Sequence, residues 1–201
     1  MPRVLFDIDF SNQSFNNSAD ETDWILSPVN SRYAPVNAQY VEVDTNTYAL
    51  KCTSGNVPTI CFVSKKQREI TEYQIDCTFS NRVTESPIRI ENKLQFNEQS
   101  LIVNGTTYNF GSWFYTTDLH KYTLKREGTN VHCYVDDALV YTYDDTAGDC
   151  VISSNDRLWF ADIDRYHWNY NNGEFKLGYV KLSEAFSGRE ERSIHEQRRM
   201  K

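Results

Sequence analysis

The chain has 201 residues, a net charge of −7 and 14% aromatic residues, with 13 Tyr and 11 Phe against 2 Met. That length suits one all-β domain, and the aromatic excess favours strands over helices because flat rings fit a pleated surface. The acidic balance excludes a reader of phosphate backbones, which needs clustered Lys and Arg, so no nucleic-acid partner is expected.

The first apolar run, Val4 to Phe10, is interrupted by Asp7 and Asp9. It therefore predicts neither a signal peptide nor a membrane span, and the chain is expected to be made in a cytoplasm without membrane insertion. Alternating apolar residues predict strands over Arg3 to Phe10, Tyr40 to Val43, Tyr48 to Cys52, Ile60 to Val63, Tyr73 to Phe79, Ile88 to Glu91 and Leu94 to Phe96. Polar stretches over Ser11 to Asp23 and Ser27 to Pro35 predict loops, the second held by Pro28 and Pro35. Asn104-Gly105 between Leu101 to Val103 and Thr107 to Phe110 predicts a hairpin, because both residues tolerate the positive φ of a type I′ turn.

From Lys121 to Asp145 the sequence predicts a three-stranded meander with one buried face, formed by Tyr122 and Leu124, then Val131, Cys133 and Val135, then Leu139, Tyr141 and Tyr143. Its turns fall at Glu127-Gly128-Thr129 and Asp136-Asp137-Ala138. Val151 to Ser153, Leu158 to Ala161 and Lys176 to Leu182 complete the strands. A capping box at Ser187-Gly-Arg-Glu190 then opens a short C-terminal helix. Short strands without strand-helix-strand alternation predict an antiparallel two-sheet β-sandwich over residues 1–186, followed by a helical tail over 187–201. The five cysteines contain no Cys-x-x-Cys, and Cys77 and Cys133 sit in strand patterns as small apolar residues, which predicts buried free thiols. A Cys52 to Cys61 bridge is the alternative in an oxidising medium.

The meander, with Tyr122-x-Leu124-x-Arg126, a Gly turn and Tyr134-Val135-Asp136, resembles the laminin-G-like branch of the concanavalin A-like jelly rolls. Two further segments carry the resemblance: the opening Val4-Leu-Phe-Asp-Ile-Asp-Phe10, and Val180-Lys-Leu182 followed by Ala185-Phe186-Ser187-Gly-Arg-Glu190. The family's first strand pairs with its last, which implies that Arg3 to Phe10 lies beside Lys176 to Leu182 and covers exposed sheet edges. One departure is Asp136-Asp137, where the family usually has Asp-Gly.

Retaining glycosidases of this fold carry Glu-x-Asp-x-x-Glu on one strand, since nucleophile and acid must stand roughly 5 Å apart. No such string occurs here, so a non-catalytic chain is expected. Alginate-lyase relatives use a Gln-Ile-His strand, and here Tyr73-Gln-Ile-Asp76 lacks the His. Asp7-Ile-Asp9 and Asp162-Ile-Asp164 have the spacing of a shared strand face, and read as solvated faces or loop caps. No cofactor is required. Calcium is the ion that the resemblance implies, with Asp162 and Asp164 as ligands, Asn171 and Asn172 beside them, and Asp144 and Asp145 as outside candidates.

The segment Arg165-Tyr-His-Trp-Asn-Tyr-Asn-Asn-Gly173 offers rings for sugar stacking and amides for hydroxyls, so Tyr166, Trp168, Tyr170, Asn171 and Asn172 form the candidate glycan site. Trp113, Phe114 and Tyr115 form a second aromatic group; Trp113 and Trp159 read as core rings. The expectation is a binding or structural module, a virion decoration, fibre or tail protein that recognises glycan or a neighbouring subunit. The alternatives are an intracellular lectin and a diverged glycoside hydrolase or polysaccharide lyase. In the charged tail Ile194 and Met200 are the apolar anchors for docking on a subunit, in a homo-oligomer or a larger assembly.

Overall fold

The computed structural model describes residues 2–9, 24–28, 37–44, 47–53, 60–64, 69–81, 85–91, 93–97, 99–111, 118–154, 156–163 and 174–185. The described residues form no helix, and the helix expected from Ser187 lies outside them. The strands are β1 (Arg3–Asp9), β2 (Trp24–Pro28), β3 (Asn37–Asp44), β4 (Thr47–Thr53), β5 (Ile60–Ser64), β6 (Tyr73–Asn81), β7 (Glu85–Ile90) and β8 (Leu94–Phe96). They continue with β9 (Ser100–Val103), β10 (Thr106–Asn109), β11 (His120–Glu127), β12 (Asn130–Val135), β13 (Ala138–Asp144), β14 (Leu158–Ile163) and β15 (Glu174–Glu184).

They build two antiparallel sheets. The eight-stranded sheet runs β13-β12-β11-β6-β15-β4-β3 with β1 also on β15, and the seven-stranded sheet runs β10-β9-β8-β7-β14-β5-β2. As expected, β1 pairs with β15, from Arg3↔Glu184 to Asp9↔Tyr179. The 11-residue β15 is not an edge, however. From Phe175 to Glu184 it pairs with β6 on one side, while β4 takes Glu174 to Leu177 and β1 takes Tyr179 to Glu184 on the other. Two short partners thus satisfy the free side of one long strand.

Alternation places the core between the sheets. Ile75, Cys77 and Phe79 of β6, Leu124 of β11 and Val131 and Cys133 of β12 face Ile88, Ile90, Leu94, Phe96, Leu158 and Phe160 of the other sheet, all at most 2% exposed. Tyr122 joins the two layers, meeting Phe79 and Phe96 edge-on with centroids 6.3 and 6.0 Å apart. On the side where β13 and β10 end their sheets, Tyr108 meets Tyr143 at 5.1 Å and Phe110 stacks on Tyr141 at 5.3 Å. Burial, with a hydrogen bond to Tyr108, pushes the Tyr143 phenol up to about 12. Cys77, Cys133 and Cys150 are buried free thiols, as expected for the first two. Cys52 and Cys61 lie on strands of different sheets, β4 and β5.

Three expectations require correction. Ser27 and Pro28 belong to β2 rather than to a loop; β2 ends its sheet, and there proline's missing N–H costs no ladder bond. Val151 to Ser153 forms only a bridge between Ile152 and Ile70. Leu139 is 55% exposed rather than on the buried face. The β12–β13 register steps from Cys133↔Tyr141 to Tyr134↔Leu139, so one extra residue on β13 reverses the alternation there. All three turns flagged in the sequence join paired antiparallel strands, and Gly128 of the Glu127-Gly128-Thr129 turn takes φ of 59°. Asn104 and Gly105 take φ of 47° and 81°, and Asp136 and Asp137 take 49° and 64°, so aspartate fills both left-handed positions where the family has Asp-Gly.

The segment after β13 is fixed by a buried ion pair. Arg126, on the core side of β11, donates from Nε to Asp145 Oδ2 at 2.6 Å and from a terminal nitrogen to the Thr71 carbonyl. Asp145 also accepts the Cys150 amide at 3.1 Å, and Tyr73 donates its hydroxyl to the Cys150 carbonyl at 2.9 Å. Arg126 of the Tyr-x-Leu-x-Arg strand is therefore a core residue.

A second, shallower pair predicts an acid response. Asp156 bonds Lys93 Nζ and the Ser153 amide, each at 2.7 Å. Burial alone would raise its carboxyl, but these bonds outweigh it and hold the group below the ordinary value of 3.8. A lowered native value means stability present above the unfolded value, about 3.9, and lost as pH falls through the native one. In urea titrations the stability gap between the wild type and Asp156→Asn should be full at pH 6 and shrink below about pH 4. A gap independent of pH would contradict this assignment.

Candidate functional site

Each sheet has an outer face turned away from the core. On the eight-stranded sheet that face is ionic and largely satisfied within itself. Lys121 bonds Asp137 at 2.6 Å, Lys125 bonds Glu127 at 2.8 Å and Lys181 bonds Asp7 at 2.8 Å. Near the centre Asp76, 6% exposed, accepts from Thr123 Oγ1 at 2.6 Å and from Gln74 Nε2 at 2.9 Å. Gly178 aims β15 onto this face. The register moves from Leu177↔Phe79 to Tyr179↔Thr78, so Gly178 is an extra residue and Tyr179 and Lys181 turn outward while Val180 and Leu182 stay inside. Burial, then the field of Asp76, keeps the Tyr179 phenol protonated well above its usual range. At the sheet's end His120 Nδ1 lies 2.6 Å from Asp136 Oδ2, and the Lys121 amide donates to the same carboxylate at 2.9 Å. Burial would raise the Asp136 carboxyl, yet those two bonds hold it below 3.8.

The outer face of the seven-stranded sheet is of another kind. Leu158 and Phe160 are fully buried, so Trp159 between them turns outward and is half-buried. Its cross-strand partner on β7 is Arg89, whose guanidinium carbon lies 5.5 Å from the indole centroid. Pairing extends this row from Trp159 to Val63 and Ile25 on one side, and from Arg89 to Gln95, Ile102 and Thr107 on the other. Trp159 Nε1–H is buried and has no acceptor among the described residues. A buried indole N–H ordinarily finds a partner, so this donor is the clearest unmet hydrogen bond on either face. Trp159 therefore does not belong to the core, contrary to the sequence expectation: on a strand flanked by two inward residues, the residue between them points out.

Tyr166, Trp168, Tyr170, Asn171, Asn172 and Asp164, as well as Trp113, Phe114, Tyr115, Ile194 and Met200, lie outside the described residues. Asp162 falls on β14, its backbone opposite Ser86. Asp7 and Asp9 share the exposed side of β1, and Asp7 is taken by Lys181, in keeping with a solvated face. The outside calcium candidates are used otherwise: Asp144 accepts from the Thr146 amide at 3.1 Å and hydroxyl at 2.6 Å, and Asp145 from Arg126. Among the described residues no group of three or more His, Cys, Asp or Glu is placed to hold a metal ion. Arg89 was not singled out in the sequence, and no local signal marks it, because its partner Trp159 is adjacent only through sheet pairing.

No family model and no curated protein matches the sequence. Solved structures do match. One, solved in work on endo-acting O-glycanases of the human gut microbiota that initiate mucin breakdown, has a TM-score of 0.59 at 14% identity, covering 91% of this chain and all of that one. The chain has a concanavalin A-like jelly-roll fold. A Bacteroides ovatus mixed linkage glucan GH16, in complex with its G4G4G3G product, shares this jelly roll at a TM-score of 0.54 and 12% identity, over 89% of this chain and 99% of that one. Domain 4 of AbnA, a GH43 extracellular arabinanase from Geobacillus stearothermophilus bound to arabinotriose, gives 0.56 at 8% identity, over 92% and 93%.

These neighbours overturn the expectation of a non-catalytic chain, because glycoside hydrolases recur among the structures that this jelly roll matches. The expectation rested on the missing Glu-x-Asp-x-x-Glu strand. A sandwich can also bring acid and base together from different strands, which a contiguous motif does not detect. None of the three neighbours is described as a virion protein, and the expected decoration, fibre or tail role gains no support from them.

Proposed function

We propose that this chain is a carbohydrate-active jelly roll that takes a glycan across the outer face of its seven-stranded sheet, anchored on Trp159. The unmet indole N–H of Trp159 carries the choice of face: an aromatic ring with a donor suits the C–H face and the hydroxyls of a sugar. The ionic side chains of the opposite face already bond one another. Similar structures holding a glucan product and arabinotriose support the ligand class. The candidate residues Tyr166, Trp168, Tyr170, Asn171 and Asn172 follow β14, the strand of Trp159, in the chain and rest on the sequence alone. The virion role, calcium at Asp162 and Asp164, and subunit docking through Ile194 and Met200 rest on the sequence alone.

The test is a polysaccharide panel read for binding and for released reducing ends and unsaturated products. Trp159→Ala should weaken binding of the recognised polymer by about tenfold or more, with Trp159→Phe intermediate because it keeps a ring and loses the N–H. Wild-type affinity in Trp159→Ala would remove the site from this face. No binding and no turnover across the panel would remove the carbohydrate reading.

A further inference from the structure

We infer that Asn104 is a site of spontaneous covalent modification, at which its side-chain amide is lost through attack by the backbone nitrogen of Gly105. Asn104 and Gly105 are the two turn residues between β9 and β10, at φ of 47° and 81°, and the pair Val103↔Thr106 closes the ladder beside them. Asn104 is exposed, and its carboxamide has no hydrogen-bond partner among the described residues. The Gly105 N–H, beyond the last ladder pair, has no backbone acceptor among them either. No atom lies within 4 Å of the place that a Cβ on Gly105 would take, so nothing crowds the approach of this nitrogen to Asn104 Cγ. The other asparagines whose side chains are described lack these conditions. Asn97 is 7% exposed, and its Oδ1 accepts from the Gln99 and Ser100 amides. Asn109 and Asn130 precede Phe110 and Val131, whose bulk shields the following nitrogen.

The step balances with water as the only co-reactant. The Gly105 nitrogen bonds Asn104 Cγ, its proton leaves with the side-chain nitrogen as ammonia, and a cyclic succinimide remains. Water then opens the ring at one of its two carbonyls. Opening at Cγ leaves aspartate, whereas opening at the Asn104 main-chain carbonyl leaves isoaspartate, in which the backbone runs through the former side chain. Both products add a negative charge. Isoaspartate also inserts a methylene group into a two-residue loop whose fixed geometry sets the register, so Val103 no longer stands opposite Thr106. β10 then loosens from β9, and with it the contact of Tyr108 with Tyr143, whose rings lie 5.1 Å apart.

Peptide mapping by mass spectrometry tests this on the full chain held in warm, mildly alkaline buffer, with the same chain in urea as the unfolded reference. The peptide that contains Asn104 should gain the mass of an acid in the folded chain and resolve into aspartate and isoaspartate forms. Gly105→Ala should slow the conversion by about tenfold or more, with a thermal melt confirming that it folds. Asn104 intact in the folded chain while the urea reference converts would mean that the turn protects it, and would overturn the inference. So would loss of the amide only at Asn172-Gly173, the chain's other Asn-Gly pair. Conversion of Gly105→Ala at the wild-type rate would overturn the attack by Gly105.

Discussion

Asp145→Ala should lower the free energy of unfolding by about 3 to 5 kcal/mol, because it leaves the Arg126 guanidinium charged and unpaired inside the sandwich. Arg126 and Asp145 have side chains 7% and 0% exposed, so water cannot replace the lost partner. The same substitution frees the Cys150 amide, which Asp145 holds at 3.1 Å. In a two-state chain of this size the midpoint of thermal unfolding should fall by about 10 °C or more. Removing both charges, with Arg126→Met and Asp145→Leu together, should recover much of the loss, since an apolar pair avoids the cost of burying ions. A single variant that melts within a degree or two of the wild type would mean that Arg126 reaches solvent.

Gly178→Ala should be the most costly change of a single methyl group. An added Cβ would stand 2.3 Å from Thr78 Oγ1 and 3.4 Å from Leu119 Cδ1. Thr78 Oγ1 already accepts the Tyr179 amide at 2.9 Å, so the methyl group expels the hydroxyl that closes the bulge. Overpacking of this kind costs about 1 to 3 kcal/mol, and here it would also turn Tyr179 and Lys181 off the outer face. Thr78→Ala removes the obstructing atom, so the double variant should be less destabilised than the two single changes added together. Strict additivity in chemical denaturation would show that the clash is relieved elsewhere.

Much of the fold was legible because a strand repeats every second residue. Tyr122, Leu124, Val131 and Cys133 declared their buried side through spacing alone, and Asn104-Gly105 declared its turn through φ tolerance. The pairing of the first strand with the last was legible only through family resemblance. Periodicity failed where one residue was inserted. The extra residues on β13 and at Gly178 reverse the phase of everything beyond them, so Leu139 was placed on the wrong face; a glycine inside a strand is a local sign of the second step, and nothing local announces the first.

The site was less legible for the same physical reason carried further. The sequence determined the composition from which a glycan face could be built, namely rings, amides and few clustered cations, and it determined strand identity through alternation. Only the tertiary structure decided that Trp159 turns away from the core and meets Arg89, that Asp145 is consumed by Arg126, and that Asp76 is held by Thr123. Each of these contacts joins residues distant in the chain through lateral strand pairing or through packing across the sandwich. Spacing along one strand says which residues share a face; which strands become neighbours is settled when all of them bury their apolar sides at once.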